Sequence, residues 1–193
     1  MERHVKDSSV IIALSFLIFT AGIVLGSVYL MKTSAGTDEG LKNYLGAFLA
    51  SAQGGTDNFA MFKNALKENA FYLLIVFAAG FFRVGIVFIA AAIIRKGFIM
   101  GFTAASFVRF YGIKGILVTV SMLPGILLII PAFLTFSAVS ADLSVRREKK
   151  EKKIIFFYVL FALIVMSIFC AAALTEGYLT TIFMKWLSPK IIQ

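Results

Sequence analysis

Ten carboxylates, one histidine (His4) and one cysteine (Cys170) are the groups in this chain of 193 residues best able to move protons or hold metals. Their placement argues against catalysis. Cys170 lies inside an apolar run with no second thiol to pair with, and a lone thiol there packs as a small hydrophobe. His4 sits in a short polar N-terminal segment. A hydrolase needs a nucleophile with a histidine, paired acids or a metal triad. The sequence carries no H-E-x-x-H, no G-x-S-x-G and no phosphate-binding loop. We therefore assign no catalytic, cofactor-binding or metal-ligating residue, and expect that the chain is not an enzyme. Two charged residues stand out by position. Arg83 is central in an otherwise uncharged stretch, and Glu176 lies where the last apolar run ends. Arg83 suits either an anionic contact or a structural pair with an acid or backbone carbonyls. Glu176 suits a first-turn position favoured by the helix dipole, or a pair with Arg83 or Arg109.

The elements that must position these groups follow from composition. The chain is 60% hydrophobic, and several uncharged runs are long enough to cross a hydrocarbon core. Alternating ten-residue strands are absent, so a β-barrel is excluded. The expectation is a single all-α polytopic membrane domain, residues 1–193, with five transmembrane helices plus interfacial amphipathic helices. The spans are read at 9–31, 70–94, 97–111, 115–141 and 154–174. The segment 32–69 reads as two outward amphipathic helices. Their apolar stripes hold Leu41, Leu45, Phe48, Phe59 and Phe62, which can bury against a partner or lie among lipid headgroups. The tail 175–193 reads as an interfacial helix anchored by Trp186.

The net charge of +9 does not call for nucleic acid. With the N-terminus cytoplasmic and five spans, Arg3, Lys6, Arg95, Lys96 and the basic run 146–153 crowd into short inside loops. That is the positive-inside bias, with the C-terminus outside, and it attracts anionic membrane lipids. The span 97–111 is the weak point, because only twelve uncharged residues separate Lys96 from Arg109. At about 1.5 Å per residue they reach roughly 18 Å, against a core of roughly 30 Å. Either this segment crosses as a short span among other helices or it is re-entrant. Gly97, Gly101 and Ala105 recur every fourth residue, and Gly22 and Gly26 repeat the pattern in the first span. Such stripes let helices approach closely.

The stretches "MFKNALKENAFYLLI", "IRKGFIMGFTAASF", "YGIKGILVTVSMLPGILLIIPAFL" and "LTEGYLTTIFMKWLSP" together resemble the stage II sporulation protein M family, in order and spacing along nearly the whole chain. The resemblance implies a multi-pass membrane protein of the sporulation septum and engulfing membrane. It implies a non-catalytic scaffold that tethers two peptidoglycan-degrading partners, stage II sporulation proteins D and P. A second copy of the chain is a further candidate partner. The rival reading is a transporter or channel subunit, suggested by Arg83 and a span holding Pro124 and Pro131.

Overall fold

A computed structural model describes residues 2–32, 39–47, 58–121, 123–145 and 152–180. Every regular element in them is helical. The α-helices are α1 (Glu2–Lys32), α2 (39–47), α3 (Asn58–Ala79), α4 (Gly85–Tyr111), α5 (Ile113–Ser121), α6 (Leu123–Val145) and α7 (Lys152–Leu174). A π-helical turn, Thr175–Thr180, continues α7. Four helical segments are long and apolar enough to cross a membrane: Val10–Lys32, Gly85–Tyr111, Leu123–Val145 and Lys152–Tyr178. With α3 they form a bundle of five.

The helix directions follow from which residues touch. Gly97 lies against Phe19 and Gly22, Gly101 against Ile23, and Ser27 Oγ donates to the Gly101 carbonyl at 3.3 Å. Positions advance together, so α1 and α4 are parallel. Between α3 and α4 they advance in opposite senses, from the tight turn Gly80–Val84 to the Lys96–Asn69 hydrogen bond. The α6–α7 pair is also antiparallel, with Ser140 meeting Tyr158 and Gly125 meeting Glu176. Hence α1, α4 and α7 run one way and α3 and α6 the other. One end of the bundle carries the Arg83 turn and the junction of α6 with α7. The opposite end carries α2, Gly112 and Glu176.

Burial explains why these sequences assemble. Phe133, Phe136, Phe169, Val76, Val165, Ile89 and Ile93 are fully enclosed where α3, α4, α6 and α7 meet. Phe16, Leu17, Val24, Phe88, Phe156 and Leu163 point outward and are exposed. A rim this apolar is matched to lipid rather than water.

Three predicted spans are corrected. The stretch 70–94 is not one helix, because α3 stops at Ala79 and α4 starts at Gly85. Tyr158 closes on this break. Its ring stacks on Phe77 at 5.1 Å, its hydroxyl donates to the Phe77 carbonyl at 3.1 Å, and a Cβ on Gly80 would lie 2.5 Å from that hydroxyl. The stretch 97–111 is neither a short span nor re-entrant. It is the second half of α4, which runs 27 residues straight through Arg95 and Lys96. The stretch 115–141 divides between α5 and α6. Gly112 takes φ 58°, a conformation that favours glycine, and its N–H caps the Val108 carbonyl at 2.9 Å. Pro124 then sits in the first turn of α6, where a missing N–H costs little, and the helix continues through Pro131.

The two expected interfacial helices also differ. Residues 39–47 form α2, but the stretch from Asn58 onward is the opening of α3 and enters the bundle. Trp186 and residues 181–193 lie outside the described residues, as does Phe48.

Candidate functional site

The middle of the bundle is not uniformly apolar. Helix α3 presents Glu68, Asn69 and Tyr72 within about one helical turn, and α4 presents Arg95 and Lys96 at the same depth. Lys96 lies 11 residues beyond Gly85, about 16 Å along the helix at a rise of about 1.5 Å. That places a charged residue near the centre of the bundle, where an ionisable side chain marks a functional site by default.

The local chemistry offsets part of the cost. Lys96 Nζ donates to Asn69 Oδ1 at 2.7 Å. Asn69 is buried, and its Nδ2 donates to the Ala65 carbonyl at 2.9 Å, which fixes the amide so that oxygen faces the ammonium. The ammonium also lies 4.8 Å from the Tyr72 ring centroid and 5.5 Å from that of Phe133. Arg95 approaches the Tyr72 ring at 5.7 Å. A cation over an aromatic face is attracted by the ring quadrupole, more strongly when water is excluded. Glu68 and Glu176 border the same space as Lys96.

Glu68, Asn69, Tyr72, Lys96 and Glu176 line one cavity of about 180 Å³, with Phe19, Ile99, Met100, Ile126, Ile129 and Ile130 supplying its apolar wall. Its polar lining comes from α3, α4 and the π-helical turn. That turn widens the helix just where Glu176 leaves it, and π-turns recur at functional positions. Gly177 packs against Asn58 and Phe62, which sets the turn near the outer end of α3. Glu176 and Lys96 thus line the same cavity from different elements.

The sequence-predicted residues fall as follows. Gly22 and Gly26 of α1 meet Gly97 and Gly101 of α4. A Cβ on Gly22 would lie 2.6 Å from the Ile94 carbonyl oxygen, and one on Gly101 would overlap Ile23. Ala105 continues the α4 stripe and is half-buried. Arg109, near the end of this seam, donates from Nη1 to the Leu30 carbonyl at 2.6 Å. That satisfies a carbonyl in the last turn of α1.

Arg83 and Glu176 are not brought together. Arg83 is exposed in the turn between α3 and α4, at the end of the bundle opposite Glu176, and Glu176 instead shares a cavity with Lys96. Of the docking stripe, Leu45 is only 5% exposed. It borders a recess shared with Leu41, Phe102 and Phe107, so α2 spends this face on α4. Phe59 is 60% exposed, and Phe62 is half-buried beside it. Sequence reasoning missed Lys96, Glu68 and Asn69, because the pair Arg95–Lys96 reads as a loop. The available signal was that apolar residues flank the pair on both sides with no turn residue between.

Comparisons with the curated proteins and with the solved structures return no match. The model of one family, stage II sporulation protein M, matches residues 15–181, from within α1 to beyond the π-helical turn. The chain belongs to the stage II sporulation protein M family.

Proposed function

We propose that this multi-pass, sporulation-family membrane protein is a non-catalytic scaffold. It holds septal peptidoglycan-degrading enzymes, stage II sporulation proteins D and P, at the sporulation septum and engulfing membrane. The family match over residues 15–181 carries the reading.

The architecture supports it. At the Arg83 end, α3 and α4 are joined by only Gly80–Val84. The long connection 33–57 leaves from the other end, and α2 caps α4 there. With the N-terminus cytoplasmic, Arg3, Lys6, Arg83 and the basic run 146–153 share the inner side. Arg95 and Lys96 leave that set, because they lie within α4, and Arg83 joins it, so the bias rests on the N-terminal segment, Arg83 and the run 146–153. The Gly112 end then faces the wall, with Phe59 exposed beside it. The transporter reading rested on Arg83 and a proline-broken span. Arg83 lies in an end turn and α6 continues through Pro131, so neither feature favours it.

The test is Phe59→Ser in a spore-forming host, followed by localisation of the two enzymes and by cross-linking mass spectrometry of the complex. The variant should remain in the membrane while the enzymes leave the septum. Enzymes retained at the septum, with no cross-links to residues near the Gly112 end, would overturn the scaffold reading.

A further inference from the structure

The cavity lined by Glu176 has a property that scaffolding does not use. Unlike charges in a low-dielectric interior gain most by closing into contact, since desolvation is offset only by direct, hydrogen-bonded pairing. Here the hydrogen bond of Lys96 goes to the neutral amide of Asn69, and Glu68 and Glu176 are arranged around a shared cavity of about 180 Å³. Asn69 is itself held by the Ala65 carbonyl, so its oxygen is committed to the ammonium. Tyr72 and Phe133 hold the ammonium from the side. Lys96 is therefore a fixed positive centre in the cavity wall.

Two carboxylates, Glu68 and Glu176, line the same cavity. Gly177 seats the π-helical turn against Phe62, which lies seven residues before Asn69 on α3. At about 1.5 Å per residue, the backbone of the turn at Gly177 lies about 10 Å closer than Asn69 to the Gly112 end. Glu68, next to Asn69 on α3, lines the cavity near the level of Lys96 and is exposed. The remaining wall is aliphatic, formed by Ile99, Met100, Ile126 and Ile129. One cavity thus offers an ammonium, two carboxylates and a hydrocarbon side.

We propose that this cavity binds a small zwitterion of the α-amino acid class, with its carboxylate on Lys96, its ammonium on Glu68 and Glu176, and a short apolar side chain against the isoleucines. A simple anion would be repelled by the two glutamates and a simple cation by Lys96. Only a ligand bearing both charges matches both signs. A ligand of one or a few carbons beyond the charged groups suits the volume. The proposal goes beyond the scaffold reading and does not depend on it.

The test uses the purified full-length chain in detergent, with thermal unfolding followed in the presence of alanine, acetate or methylammonium at matched concentrations. Alanine should raise the unfolding midpoint saturably, because a ligand that binds only the folded state stabilises it by mass action. Acetate and methylammonium should not. Glu176→Gln and Lys96→Met should each abolish the response to alanine. Glu176→Gln retains the side-chain volume and serves if Lys96→Met does not fold. No shift with alanine in the wild-type chain overturns the proposal. So does an equal shift with either single-charge probe, or a response that survives in Glu176→Gln. None of these outcomes touches the localisation test of the scaffold.

Discussion

Tyr158 Oη and Ser140 Oγ lie 2.8 Å apart, bridging α7 and α6 at the depth where α3 ends. Ser140 is also tied to the Phe136 carbonyl at 2.8 Å, and the Tyr158 ring stacks on Phe136 as well as on Phe77. One phenol therefore joins three helices. Tyr158→Phe keeps the stacking and removes the hydroxyl. The loss should be about 1–2 kcal/mol, as for an unmade buried hydrogen bond. A lowered unfolding midpoint in detergent checks it, with Ser140→Ala giving a similar and non-additive loss. Additive losses would mean that the two hydroxyls act separately.

The α1–α4 seam predicts a sharp contrast between two leucine substitutions. At Gly101 a side chain would run into Ile23, whereas Val108, two turns on, is exposed. Gly101→Leu should cost about 1–3 kcal/mol or prevent assembly, while Val108→Leu should change stability by under about 0.5 kcal/mol. Size-exclusion profiles of the two variants after graded heating would show it. Equal profiles would remove the seam.

Helix directions make a topological prediction. In a Cys170→Ala background, single cysteines at Arg83 and Ile113 should react with an impermeant thiol reagent from opposite sides of the membrane. Both positions are exposed, at the two ends of α4. Labelling from the same side would mean that Gly85–Tyr111 does not cross.

The two ends of the docking stripe should separate in their effects. Leu45 is buried beside α4, so Leu45→Ser should lower the unfolding midpoint, with a cost of about 1.5–3 kcal/mol. Phe59 is exposed, so Phe59→Ser should leave the midpoint within the error of the wild type. A large loss at Phe59 would make it a structural residue.

The membrane class, the helical fold and the first and last spans were legible because each is a property of a continuous run of residues. Val10–Lys32 and Lys152–Leu174 follow their apolar runs closely. What could not be read was where the middle helices begin. The break at Gly80 depends on Tyr158, a residue 78 positions away that no local window contains. The same limit hid the charged cavity. A Lys96 in mid-helix is tolerated through Asn69 and the rings of Tyr72 and Phe133, which arrive from two other helices. Hydropathy counts Lys96 as a boundary because it scores the residue without its neighbours. Arg83 shows the converse: its run is apolar, yet the chain turns there.

The parallel pairing of α1 with α4 also governs how the protein is made. The hydrogen bonds that close this seam link residues 74 and 79 positions apart. While the ribosome is still producing α3, α1 is already in the bilayer with Gly22 and Gly26 turned to lipid. Its partner surface does not exist until Gly101 and Arg109 have been translated and inserted. The first helix therefore waits through two further passages of the chain. During that interval its bare glycine face is the feature that an insertase can shield, or that a membrane protease can recognise on a stalled chain.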